Sequence, residues 1–280
     1  MSGEFADAAL ILVGHGSTLN AESALPTLQQ ADELRRRGHF AQVLECFWKE
    51  QPSVCGVLRG VFVPRVFIVP LFISDGYFTE EVIPRELGLA ERGQLEFPRI
   101  QNRGGRLIHY CGPVGTHPSM TEIVLARARD ILERFPASGP VPSPSQVSLF
   151  VAGHGTGNNE NSRRAIENQV LLIRKMNLYH DVHAVFMEED PYIRECYGLA
   201  ETPNIVMVPF FISDGLHSYE DIPVMLGAPE EAVKERYRSG EPTWVNPTTV
   251  RGKRVWYTAS IGREPHLPDV IMERVREAVA

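Results

Sequence analysis

The sequence predicts a duplicated α/β fold: two tandem Rossmann-like lobes, each a four-stranded parallel sheet flanked by helices. Three observations carry this. A set of motifs recurs at a constant offset, short apolar runs alternate with amphipathic helical segments, and a proline-rich stretch divides the chain near its middle.

Gly14-His15-Gly16-Ser17 returns 139 positions later as Gly153-His154-Gly155-Thr156. Phe47, Glu50 and Pro52 return at the same offset as Phe186, Glu189 and Pro191, and the VPLFISDG run at Val69 returns as VPFFISDG at Val208. Further on, Tyr110 and Gly115 match Tyr257 and Gly262 at an offset of 147, so the second half gains about eight residues between Gly227 and Lys253. A shared register over this length marks a tandem duplication. Between the copies, FPASGPVPSPSQ can continue neither a helix nor a central strand. The expected division is an N-terminal lobe over 1–138, a linker over 139–145 and a C-terminal lobe over 146–280.

In the second half, Val147–Ala152 is a continuous apolar run suited to a strand buried on both faces. Ile166, Val170, Ile173 and Met176 then fall at helical spacing. Val182–Met187 reads as the second strand and Pro191–Tyr197 as a helix start, with proline tolerated in the first turn. Ile205–Ile212 is the third strand, followed by a helix opening at Asp221; Val255–Ser260 is the fourth, closed by a helix over Asp269–Val279. The first half repeats this order and ends in Leu107–Cys111 and a helix over Thr121–Arg134. Strands joined by helices imply right-handed parallel crossovers.

Composition narrows the function. The 35 acidic residues exceed 28 basic ones, for a formal charge of −7, and no Lys/Arg-rich run is present, which argues against nucleic acid. No apolar stretch approaches the ~20 residues that span a bilayer, and the N-terminus lacks a signal-peptide pattern, so a cytoplasmic location is expected. Four cysteines without CxxC spacing read as free thiols. Neither a P-loop nor a complete GxGxxG occurs.

Ligands of such sheets sit beyond the carboxyl ends of the strands. There the topology gathers His154 after strand one, Glu188, Glu189 and Asp190 after strand two, and His217 after strand three. Two imidazoles with a nearby carboxylate suit a borderline divalent ion in an open site. The expected metal set is His154, His217 and Glu188, and the expected catalytic set His154, His217 and Glu189. Arg163, Arg164 and the Ser213-Asp214-Gly215 turn are candidate substrate contacts. His180 and His183 read as surface residues. In the first half Phe78 stands where His217 stands in the second, so His15 lacks its partner and that site is degenerate.

VGHGST and VAGHGTGNNENS, VPLFISDG and VPFFISDGLHSYEDIP, and the segments YCGPVGTHP and YTASIGREP together resemble the class II tetrapyrrole chelatases, in their sirohydrochlorin cobaltochelatase/ferrochelatase branch. The resemblance spans nearly the whole chain in two copies. It implies chelatase-like lobes facing across a cleft, and ATP-independent insertion of Co²⁺ or Fe²⁺ into sirohydrochlorin toward cobalamin or siroheme. It implies no cofactor beyond the substrate metal, and His154 and His217 as the metal-handling pair. A nickel chelatase, or a metal- or tetrapyrrole-binding protein without turnover, are the alternatives. Since duplication provides a pseudo-dimer within one chain, a monomer or weak dimer is expected.

Overall fold

The apolar runs that open each half become the central strands of two sheets. In a computed structural model, which describes residues 3–18, 20–94, 96–137, 139–155 and 160–280, the chain forms two units. The Thr156 cap and the TGNN part of the second glycine motif lie outside the described residues.

The first half supplies β1 (Phe5–Gly14), α1 (Leu25–Arg37), β2 (Phe40–Phe47), β3 (Arg65–Pro70), α2 (Ile83–Glu86), β4 (Ile100–Arg103), β5 (Arg106–Tyr110) and α3 (Met120–Arg134). The second supplies β6 (Val147–Gly153), α4 (Glu160–Lys175), β7 (Asp181–Phe186), α5 (Cys196–Leu199) and β8 (Asn204–Pro209). It continues through α6 (Ile222–Met225), α7 (Glu230–Ser239), β9 (Thr248–Val250), β10 (Lys253–Tyr257) and α8 (Leu267–Glu277).

The sheets run β2-β1-β3-β5-β4 and β7-β6-β8-β10-β9. Four strands of each are parallel, as expected. A fifth, antiparallel at the edge, was not legible: Ile100–Arg103 and Thr248–Val250 are short and largely solvated, so they lack the apolar run that marks a buried strand. The extra residues of the second half form α7, whose Val233 alone is buried. At the centre of each sheet lie fully buried side chains such as Leu10, Ile11 and Phe67 in one unit, and Phe150, Val206 and Trp256 in the other.

The units do not follow the repeats. One comprises Met1–His117 with Pro265–Ala280, the other Pro118–Glu264. Each closing helix therefore packs with the other half's sheet, and neither changeover falls in the proline-rich stretch. Helix α3 joins the second unit, where Thr121 Oγ1 donates to Gln169 Oε1 at 2.7 Å and Arg127 pairs with Glu264 at 3.2 Å. Helix α8 joins the first, where Arg274 donates to the Pro113 carbonyl (3.0 and 2.8 Å) and to Thr116 Oγ1 (2.6 Å). Periodicity shows which face of a helix is apolar and not which sheet covers it. Since α3 and α8 are copies of one element, their apolar faces do not distinguish one sheet from the other.

His117 gives the first unit a pH response. Its ring is buried against Glu277 at 3.1 Å, and burial, helped by the Arg274 charge, holds its pKa below the ordinary histidine value. The folded state then binds fewer protons than the unfolded chain, so this contribution is complete above about pH 6.5 and is lost as pH falls toward the lowered value. Thermal unfolding between pH 7 and 5.5 is expected to show a smaller drop in Tm for His117→Gln than for the unaltered protein.

Candidate metal centre

His154 occupies the turn that ends β6. Gly155 follows with φ of +70°, a conformation that strains any residue bearing a Cβ. That turn lets His154 Nδ1 approach the Gly155 carbonyl at 2.9 Å. His217 opens a single π-helical turn, His217–Asp221, after β8. The turn spaces Asp221 so that its Oδ2 stands 2.7 Å from His217 Nδ1. A carbonyl and a carboxylate can only accept, so in both neutral imidazoles Nδ1 carries the proton and Nε2 keeps the lone pair. The two rings stand 5.0 Å apart, centroid to centroid, and 77° to one another. Two donor nitrogens of fixed tautomer thus emerge from neighbouring strands on one sheet edge, as the topology predicts.

The π turn is held from behind. Tyr257, at the end of β10, is buried and donates from its hydroxyl to the Ser218 carbonyl at 2.7 Å, next to His217. Burial pushes that phenol well above its usual pKa, so it remains a donor at any working pH. The Ser218 and Ser260 hydroxyls meet at 3.0 Å, and Asp214 Oδ1 accepts from the Ser260 amide at 3.0 Å. Asp214 is therefore buried scaffold, and not the substrate contact expected from its position. The Gly215 carbonyl accepts from the Tyr219 amide at 2.9 Å, which places it too in the turn's own bonding, and Ser213 beside it is half-buried.

The acids divide. Glu188 is 59% exposed, and its Oε2 lies 3.6 Å from His154 Nδ1, the nitrogen already committed to Gly155. Among the described residues no group of three or more His, Cys, Asp or Glu side chains is arranged to hold a metal ion. The expected set of His154, His217 and Glu188 is thus not assembled, because Glu188 approaches the occupied face of the ring. Glu189 packs its side chain against Gly155 and brings Oε2 to 3.5 Å from Arg163. Its counterpart Glu50 packs on Gly16 and accepts from the Ser17 amide, so this acid supports the glycine turn in both copies, a task distinct from the catalytic one expected of Glu189.

Arg163 is committed as well. It donates to Glu167 (2.8 Å) and the Asp190 carbonyl (2.9 Å) and lies over the Phe186 ring, which makes it a brace between α4 and the loop after β7. Arg164 is a solvated partner of Glu160 one turn away. Neither position is that of a free cation awaiting a substrate. His180 is exposed beside Glu201, but His183 belongs to β7, stacked at 5.0 Å on buried Phe150 and bonded to Asp181. It is a packed residue, which corrects its reading as a surface one.

Sequence reasoning missed Asp221 and Tyr257. The first was visible as the i+4 acid of His217, and the position matching it in the first half is Val82, so histidine and acid are replaced together.

Fold and geometry define a duplicated α/β protein with a paired-imidazole centre in its second unit. The CbiX family model matches residues 9–131 and again 148–278, and the chain belongs to that family. A probable sirohydrochlorin cobaltochelatase of Halobacterium salinarum is 42% identical over an alignment of 286 positions, gaps included, that covers 97% of this chain and 92% of the relative. A sirohydrochlorin cobaltochelatase of Methanopyrus kandleri is 27% identical over 153 residues, covering 97% of itself and 48% of this chain, so it is one lobe long. Among solved structures, the DR2241 protein of Deinococcus radiodurans, described as similar to chelatases with two additional domains, superposes with a TM-score of 0.77 at 30% identity. That match covers 97% of this chain and 54% of DR2241. The Bacillus subtilis SirB structure with Fe³⁺ shares the fold, at a TM-score of 0.66 and 17% identity over 98% of this chain and 96% of SirB.

Proposed function

We propose that this chain inserts a divalent metal, Co²⁺ or Fe²⁺, into sirohydrochlorin without ATP. The observation that carries the reading is the pair of imidazoles with their Nε2 lone pairs left open by the bonds at Nδ1. The metal is a substrate here, and a two-nitrogen site suits one that must leave again, since structural sites close with four protein ligands. Insertion requires the ion to shed water while two pyrrole protons depart. His154 and His217 would hold the ion, and exposed Glu188, whose Oε2 lies 3.6 Å from His154 Nδ1, would take up a released proton from the solvent side of that ring. Relatives named as cobaltochelatases favour Co²⁺. A relative one lobe long supports the view that duplication replaces a partner, so the working form is a monomer or weak dimer.

The test is an insertion assay crossing Co²⁺, Fe²⁺ and Ni²⁺ with metal-free sirohydrochlorin and related tetrapyrroles, followed by the change in tetrapyrrole absorption. Fast insertion of Co²⁺ or Fe²⁺ supports the proposal. Stoichiometric binding without accelerated insertion would replace it with a binding role. Asp221 provides a second check. Partners behind a metal-bound histidine set its tautomer and basicity, and losing one costs roughly 10–100-fold in metal affinity or activity. Asp221→Ala is expected to weaken Co²⁺ binding by that factor in a metal titration, with Asp221→Asn closer to the unaltered protein.

A further inference from the structure

The first unit presents a different chemistry at the strand ends that match the paired imidazoles. At the constant offset, Met187, Glu188 and His217 correspond to Trp48, Lys49 and Phe78. The backbone confirms the match, since the Lys49 amide bonds the His15 carbonyl at 3.0 Å as the Glu188 amide bonds that of His154 at 3.0 Å. Where the second unit has an imidazole, a thioether and a carboxylate, the first has a phenyl ring, an indole and an ammonium.

These rings form one cluster beyond the carboxyl ends of β1, β2 and β3. Phe78 lies 4.8 Å from Trp48, 5.1 Å from His15 and 6.0 Å from Phe72 between centroids, with exposed Tyr77 at 5.6 Å. Lys49 is exposed, with Nζ 4.9 Å from the Trp48 ring centre. Rings that merely fill a vacated site would be buried, as Phe47 and Phe67 are, whereas Trp48, Phe72 and Phe78 keep part of their surface open. Open aromatic surface with a cation at its rim complements a flat conjugated ring that carries carboxylates at its edge.

We infer that this edge of the first sheet binds the face of the tetrapyrrole through Trp48 and Phe78, with Lys49 meeting a peripheral carboxylate, an inference that rests on the tetrapyrrole reading above.

The test is an absorption titration of metal-free sirohydrochlorin with the full-length protein and its variants. Phe78→Leu and Trp48→Leu preserve apolar bulk and remove the π face, and each is expected to raise Kd roughly tenfold, the usual worth of one stacking ring. Lys49→Glu raises Kd and reduces its dependence on salt. Leucine variants that bind with unchanged Kd overturn the inference and leave the proposed function standing. An unaltered protein that binds no tetrapyrrole overturns both. Where leucine lowers Tm, Trp48→Phe and Phe78→Tyr decide: near-native affinity supports the platform, and affinity lost with the ring retained overturns it.

Discussion

Replacing His217 with alanine is expected to lower the rate of metal insertion at least about a hundredfold, the usual worth of a group that binds or moves a proton at the reacting centre. His154→Ala is expected to do the same, and the double variant to fall little further, because groups acting as one unit are not additive. The measurement is the initial rate of the tetrapyrrole absorption change at saturating Co²⁺. Stability is a useful control. His217 is 53% exposed and its bond to Asp221 is solvated, so its loss is expected to change the unfolding free energy by no more than about 0.5 kcal/mol. An inactive, fully stable variant thus separates chemistry from folding. Full activity in both single variants would remove the basis of the chelatase reading. Glu188→Gln is expected to fall between, because that carboxylate reaches the imidazole only at 3.6 Å and is itself largely in water.

Much of this was written in the chain, and the parts that were not share a physical cause. The offset between Gly14 and Gly153 exposed the duplication, and strand-end topology brought His154 and His217 to one edge without any contact information. The roles of the other candidates depended on what their side chains touch. Arg163 looks like a substrate cation in sequence, yet its guanidinium braces α4 against the loop after β7. Asp214 looks like a site acid and instead bonds the Ser260 amide across the unit. The exchange of α3 and α8 was equally hidden, because both copies carry the same apolar face. A sequence states which chemistry each strand end delivers; burial and bonding decide whether that chemistry is available.

Comparison of the copies sorts scaffold from function more sharply than either copy alone. Tyr110 and Tyr257 donate to the matching carbonyls of Thr79 and Ser218, both at 2.7 Å, and the π turn recurs as Phe78–Val82 and His217–Asp221. These features persist whether or not histidine is present, so they build the strand end. The differences at this edge include Met187, Glu188, His217 and Asp221 against Trp48, Lys49, Phe78 and Val82. The two copies thus share a scaffold and differ in the chemistry it presents.

Gly262→Ala is expected to be the most disruptive single methyl in the second unit. A Cβ at Gly262 would stand 1.7 Å from the Ile212 carbonyl oxygen and 2.6 Å from its carbon. Both are backbone atoms, so no rotamer change relieves the overlap. Overpacking of a core costs about 1–3 kcal/mol where side chains can yield, and here only the chain itself can move, so a loss of at least about 3 kcal/mol is expected in denaturant unfolding. Ile212 leads into the segment that carries His217, and displacing it shifts that imidazole relative to His154. Metal affinity is therefore expected to fall along with stability. Gly115 provides the matched comparison, since its Cβ would meet the Ile73 carbonyl oxygen at 2.2 Å in the first unit. Gly115→Ala is expected to destabilise the protein as well, while Co²⁺ titrated below the unfolding transition binds His154 and His217 with unchanged affinity. Equal loss of metal binding in the two variants would show that the glycine contact serves overall folding and does not set the position of the His217 turn.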